Sequence, residues 1–364
     1  MKIALVHDYL LRMGGAERTL KVLQEIFPEA PIFTLFYNKN FVKKFLPDSK
    51  IISSFIQKFP KVNKLYKWLL PFYPIAIESF DLKDYDLVIS SNICFSKGLV
   101  LKPTTKHICY CYSPTRWLWD WNKEYLKNDY GSKKRSVRVL QHLLRLWDKS
   151  ASSRPDVIVA ISKNVQQRIY KYYKRESKII YPPVYIEPTS VEHKTEEEYF
   201  LIVSQLFSHK NIDIAIKAFE KLNWKLIVIG NGPEYGRLKA KAGKLTNIKL
   251  LKSIGDEELA HYYQDCLGLI MPQEEDFGLT SVEAMSFGKP VLGLRKGGAT
   301  ETIIEGITGE FFEDPNPTVL AEGIRRMYDK IKIGYFSPLV IKKHSEKFSK
   351  QRFINEIKQL VSNE

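Results

Sequence analysis

Two glutamates separated by seven residues carry the strongest chemical signal in the chain. They lie in the run Glu275-Asp276-Phe277-Gly278-Leu279-Thr280-Ser281-Val282-Glu283, directly after the apolar residues 267–271. The pattern predicts a strand, a loop bearing Glu275, and a helix over 281–287 with Glu283 in its first turns. A helix start offers backbone N–H donors without intrahelical partners and a partial positive charge, and both favour phosphate. One carboxylate accepting sugar hydroxyls, the other ribose hydroxyls, and a diphosphate on the N–H groups that open the helix would together suit a nucleotide-sugar. Two glutamates near a helix start also serve as plain dipole partners.

Other candidates follow strands in the same way. The turn Ser204-Gln205-Leu206-Phe207-Ser208-His209-Lys210-Asn211 follows residues 200–203. Its Lys210 is a compact charge suited to a leaving diphosphate, or simply a solvated turn lysine. Gly230, Gly232, Gly297 and Gly298 allow close backbone approach beside strand ends. Gly14-Gly15-Ala16-Glu17 lies between the first strand and first helix and lacks the GxGxxG spacing of a dinucleotide site. The segment 107–116 ends with Tyr112 and Arg116, which could meet an acceptor, although a structural tyrosine fits equally well.

The elements that must position these residues alternate. Residues 3–6, 32–36, 87–90, 107–111 and 157–161 read as strands, with helices over 16–27, 139–147 and 165–173. A second series has strands over 200–203, 225–229, 248–251, 267–271 and 291–294, with helices over 212–222, 257–265 and 281–287. Such alternation predicts an α/β protein with two doubly wound parallel sheets, facing each other across a ligand cleft. The expected division is residues 1–185, then 186–346, with an acidic linker at 187–198. An amphipathic stretch near the C-terminus, with Phe353, Ile354, Ile357 and Leu360 on one face, is expected within 347–364 to pack back on the first domain.

Charge is unevenly shared. Residues 1–180 hold 32 Lys and Arg against 15 Asp and Glu, whereas 181–364 hold 24 against 26. The basic half would attract a polyanion. Within 41–80, Lys58, Lys61, Lys64 and Lys67 interleave with Phe55, Phe59, Tyr66, Trp68 and Phe72. That mixture suits an anionic membrane interface, or else two surface helices with aromatics in the core. Four cysteines without paired spacing predict free thiols in a reducing compartment. No run of about 18 apolar residues and no leader-like N-terminus occur, so neither a membrane span nor export is expected.

Three blocks, HDYLLRMGGAERTL, CYCYSPTRWLWD and MPQEEDFGLTSVEAMSFGKPVLGLRKGGATET, resemble glycosyltransferase family 4, the retaining enzymes of the GT-B fold. They look like its bacterial O-antigen and capsule mannosyltransferase branch. The resemblance implies two Rossmann-like domains and transfer of a hexose, mannose from GDP-mannose, to a lipid-linked saccharide, without metal or other cofactor. It implies that Glu275 binds donor sugar hydroxyls, Glu283 the ribose, and the amides around Phe277, Gly278 and Leu279 the sugar and diphosphate. Lys210 would stabilise the leaving diphosphate, and Gly14 and Gly15 would approach donor phosphates and acceptor. An enzyme of this kind would work at the cytoplasmic face of the membrane.

Two positions depart from the family pattern. Gln205 stands where an arginine usually begins the donor turn, and Tyr112 where a histidine often faces the transferred sugar. A phenol can donate a hydrogen bond but cannot carry a proton near neutral pH as imidazole can. These departures leave room for a second reading, a catalytically weak nucleotide-sugar-binding relative within a glycan-assembly complex. A third, nucleic-acid binding through the basic half, leaves the Glu275–Glu283 block unexplained.

Overall fold

Short apolar runs rich in β-branched residues become strands buried on both faces, as parallel sheets covered by helices require. The computed structural model describes residues 1–120, 134–186 and 197–363. They fall into two units: Met1–Pro182 with the chain from Phe353 onward, and Pro183–Arg352.

The first unit holds strands β1 (Ile3–His7), β2 (Ile32–Thr34), β3 (Ile51–Ser53), β4 (Leu87–Asn92), β5 (Lys106–Cys111), β6 (Val157–Ala160) and β7 (Lys178–Ile179). All are parallel, in the order β3-β2-β1-β4-β5-β6-β7. Winding reverses between β1 and β4, where Leu5 pairs with Ile32 on one side and Ile89 on the other. Asp8, just past β1, fastens this point: its carboxylate accepts the amides of Ile93, Cys94, Phe95 and Ser96 from the turn after β4, at 2.5–3.0 Å. A second buried carboxylate, Asp148 on the helix Lys134–Ala151, accepts from Lys97 (2.6 Å), Thr115, Trp119 and Tyr173 (each 2.8 Å).

The second unit holds β8 (Phe200–Val203), β9 (Leu226–Ile229), β10 (Ile248–Leu251), β11 (Gly268–Met271), β12 (Val291–Leu294) and β13 (Gly309–Phe312). The order β10-β9-β8-β11-β12-β13 reverses between β8 and β11, which pair through Phe200 with Gly268. The helix Ile212–Leu222 shows why the sheet is covered: Ile212, Ala215, Ile216 and Phe219 recur at helical spacing and are all buried. Each large apolar side chain so buried contributes about 1.5–3 kcal/mol.

Several sequence expectations change. The edge strands β3 and β7, of three and two residues, are too short for a periodic signal, and the edge strand β13 joins the second sheet without having been expected. Residues 41–80 do not form a pair of helices but a series of short helical turns around β3. The helix expected at 281 begins at Leu279, because Gly278 turns the chain with φ 90°. Residues 183–186 belong to the second unit, where the Val184 amide donates to the Phe348 carbonyl at 2.9 Å and Ser286 Oγ to that of Ile186 at 3.4 Å. The C-terminal helix, Lys350–Ser362, joins the first unit from Phe353, which packs edge-on to Tyr110 with ring centroids 5.6 Å apart. Most of the expected linker, 187–196, lies outside the described residues.

Candidate functional site

The turn after β8 and the loop after β11 flank the point where the second sheet reverses its winding, the usual ligand position of an open α/β sheet. A single helical turn, Ser208–Lys210, ends at Asn211 in the left-handed conformation, φ 55°, which asparagine tolerates better than most residues. Asn211 Nδ2 then donates to the carbonyl of Pro272 at 3.1 Å, tying turn to loop. Across this tie Lys210 Nζ lies 2.6 Å from Glu275 Oε1, and Gln273 Nε2 donates to the same oxygen at 2.8 Å. Burial raises the Glu275 carboxyl's pKa, but the Lys210 charge, its hydrogen bond and that from Gln273 outweigh this and hold it below the usual glutamate range. The result is an ionised acceptor whose side chain keeps a quarter of its surface exposed.

The loop's path is dictated by its neighbours. Gly298 N donates to the Glu275 carbonyl at 2.8 Å, and a Cβ on Gly298 would lie 2.3 Å from Phe277 Cα. Gly232 does the same for the other turn, since its Cβ would meet the Leu206 carbonyl at 2.4 Å. The close backbone approach expected of these glycines is made here to neighbouring backbone, Phe277 for Gly298 and Leu206 for Gly232. The Phe277 side chain is buried against Phe348, centroids 5.5 Å apart, so only its backbone is available for binding. Gln205 is exposed at the start of its turn. Gly278 and Leu279 open the helix Leu279–Ser286; a helix start leaves its first amides without i−4 partners, and here the Ser281 amide turns back to the Gly278 carbonyl at 2.9 Å. Glu283 lies one turn further along and is buried, its Oε2 accepting from Tyr263 OH at 2.8 Å.

In the first unit Gly14 caps the helix Gly15–Ile26 in extended conformation, so the Gly14–Gly15 step does open a helix after β1 as expected. Tyr112 differs from expectation. Its hydroxyl donates to the Ala16 carbonyl at 3.0 Å and is bonded to Ser91 Oγ at 2.9 Å, which in turn meets His7 Nδ1 at 3.0 Å. A carbonyl only accepts, so the donors run from His7 Nδ1–H through Ser91 to Tyr112. Burial pushes the phenol's pKa well up. Tyr112 is thus bound into the first unit, pinning the helix that Gly14 starts, rather than held out toward a sugar. Arg116 sits on the loop after β5, its Nε 3.4 Å from Asp120 Oδ2, with Arg168 Nε 3.6 Å from the same oxygen.

The basic and aromatic segment of this unit exposes Phe59, Leu65, Trp68, Phe72 and Ile75, Trp68 to 63%. Beside them a cavity of about 350 Å³ is lined by Gln57, Phe59, Lys61, Val62 and Asn63. Lys67 lies within the same turns, while the Lys64 side chain falls outside the described residues. The helix Lys134–Ala151 adds Val139, Leu143 and Leu146, exposed at helical spacing beside Arg138 and His142. This stripe was missed because the same residues read equally well as a buried face. Among the described residues no helix is long and apolar enough to cross a membrane, and no three His, Cys, Asp or Glu side chains gather as a metal site.

Residues 183–332, which contain the Lys210–Glu275 pair and Glu283, match the family described as glycosyl transferases group 1. Most of the second unit, Pro183–Arg352, falls within that match. The chain is similar to an uncharacterized glycosyltransferase, MJ1178, of Methanocaldococcus jannaschii, 27% identical over 59% of this chain and 62% of that protein. The O-antigen chain mannosyltransferase C of Escherichia coli is 23% identical over 56% of the chain and 58% of its own length. The chain thus spans about three fifths of the length of these relatives. Among solved structures, that of Anabaena Alr3699/HepE in complex with UDP matches with both chains covered completely, a TM-score of 0.72 and 16% identity. The fold is therefore that of the GT-B glycosyltransferases, two Rossmann-like parallel-sheet units.

Proposed function

We propose that this chain is a retaining hexosyltransferase that moves mannose from GDP-mannose to a lipid-linked saccharide during surface polysaccharide assembly, at the cytoplasmic face of a membrane and without a metal. The observation that carries the reading is the Lys210–Glu275 pair at 2.6 Å, set where the second sheet reverses beside a helix start. The E. coli relative's name supports mannose and O-antigen chains, and the UDP complex of the structural neighbour supports a nucleotide donor.

In this reading the diphosphate lies on the first-turn amides of the helix Leu279–Ser286 and draws Lys210 toward itself. Glu275, ionised, accepts hydroxyls of the sugar, and Glu283 accepts those of the ribose. The bond from the sugar's anomeric carbon to the phosphate oxygen breaks as the acceptor oxygen forms its bond on the same face. The acceptor's proton passes to the departing phosphate, so no side-chain base is required. Lys210 offsets the charge that develops on that phosphate, an electrostatic contribution of the kind worth about 10²–10³ in rate. Tyr112 acts through the helix it pins. The exposed aromatics beside Lys61 and Lys67, with the stripe Val139, Leu143 and Leu146, would bring the acceptor's anionic membrane surface to the first unit.

The test is a panel of sugar nucleotides with membrane lipid extract as acceptor, with and without a chelator. Mannose transfer from GDP-mannose is expected, unaffected by chelation, and Glu275→Ala is expected to reduce turnover by two or more orders of magnitude with unfolding temperature nearly unchanged. Wild-type turnover in that variant would overturn the site, and tight nucleotide binding without product from any donor would favour a binding-only relative.

A further inference from the structure

Tyr263 lies on the helix Asp256–Asp265, outside the run that holds the two glutamates, and its side chain is fully buried. Its ring stacks on Phe287 at 5.5 Å with the planes 22° apart, which fixes where the hydroxyl points. That hydroxyl donates to Glu283 Oε2 at 2.8 Å. Glu283 is itself buried, at 5% exposure. A buried carboxylate without donors is costly, and one that must accept a ligand hydroxyl must also be held in a single rotamer. The phenolic donor contributes to both. A carboxylate has about four lone-pair sites, of which the bond from Tyr263 takes up one.

We infer that Tyr263 is a positioning residue that sets selectivity for a ribose over a deoxyribose in the nucleotide, by orienting Glu283 toward the sugar hydroxyls. The inference rests on the proposed role of Glu283 as ribose acceptor. A hydroxyl-accepting site discriminates well only when its acceptor is fixed, because a carboxylate free to turn finds other partners when the ligand hydroxyl is missing. Tyr263 lies within one unit together with Glu283, so its effect needs no rearrangement elsewhere.

The experiment measures dissociation constants of GDP and UDP and of their 2′-deoxy and 3′-deoxy forms by calorimetry, for the intact chain, Tyr263→Phe and Glu283→Gln. Wild type is expected to favour at least one ribose form over its deoxy form by about tenfold or more, and Glu283→Gln to lose that preference. Tyr263→Phe is expected to cut the ratio to about threefold or less. Equal weakening of ribose and deoxyribose forms, with the wild-type ratio preserved, would mean that Tyr263 only supports the fold and would overturn the inference. A wild type that does not discriminate at all would instead remove the ribose role of Glu283 itself. Should Tyr263→Phe fail to fold, Phe287→Leu frees the Tyr263 ring while keeping its hydroxyl; the same fall in ratio is expected, and an unchanged ratio counts against the inference.

Discussion

Gly298 donates its amide to the carbonyl of Glu275 at 2.8 Å, and its α-carbon faces Phe277 so closely that no side chain fits between them. The carboxylate proposed to hold the donor sugar is therefore placed by a backbone contact from a loop 23 residues further along the chain.

Gly298→Ala should act on this contact alone. A methyl group at 2.3 Å from Phe277 Cα must push the 275–278 loop away. Overpacking of this kind costs about 1–3 kcal/mol. Thermal unfolding should show that loss, and nucleotide-sugar affinity should fall with it; full affinity in a destabilised variant would separate the loop's position from donor binding.

The pH dependence of donor binding follows from the lowered pKa of Glu275. An ordinary glutamate titrates near about 4.3. With the Lys210 charge beside it, Glu275 stays ionised through that range, so affinity should hold as pH falls and decline only below it. A carboxyl depressed on folding contributes stability above its unfolded pKa and loses that contribution as pH falls through the folded value. Lys210→Met should shift the acid limb of nucleotide binding upward. An unmoved limb, read by calorimetry across the acid range, would detach Glu275 from the binding event.

Tyr112→Phe tests pinning against chemistry. The change removes the donor to the Ala16 carbonyl and the acceptor of the Ser91 hydroxyl. Buried partners left unmatched cost about 1–3 kcal/mol. Lower unfolding temperature with turnover reduced less than about tenfold is expected. A loss of turnover beyond a hundredfold at unchanged stability would return Tyr112 to the reacting sugar.

At the exposed aromatic segment, Lys61→Glu with Lys67→Glu, and separately Trp68→Ala, should weaken binding to phosphatidylglycerol-containing vesicles. Each lysine near an anionic surface is worth about 1 kcal/mol. The double reversal should thus cost at least about tenfold in partition coefficient and leave GDP binding intact. Unchanged partition in a flotation assay would leave these side chains as ordinary solvated surface.

Much of the second unit was legible in the sequence. Residues 200–203, 248–251 and 291–294 are short runs in which apolar residues predominate, and residues 212–222 repeat at 3.6, so their bounds match the strands and helix found. The chemistry of Lys210, Glu275 and Glu283 was legible as residue type and spacing. Their partners were not. Asn211 and Tyr263 act through hydrogen bonds spanning 61 and 20 residues, and Gln273 through one to a residue two positions on, none of which a local period encodes. Gly232 and Gly298 announced close approach correctly, but sequence cannot say whether ligand or backbone does the approaching. Tyr112 stayed open between two roles for the same reason: a strand-end tyrosine looks alike whether its hydroxyl meets a substrate or the Ala16 carbonyl.

Asp148 gathers donors from three separate stretches of chain, one of them Trp119 on the far side of residues 121–133. The helix that carries it is therefore joined to the preceding strand region twice, once covalently and once through a buried charge. Removing that one carboxylate would therefore release Lys97, the Thr115–Trp119 loop and Tyr173 together, so these segments should loosen as one cooperative patch and not one by one.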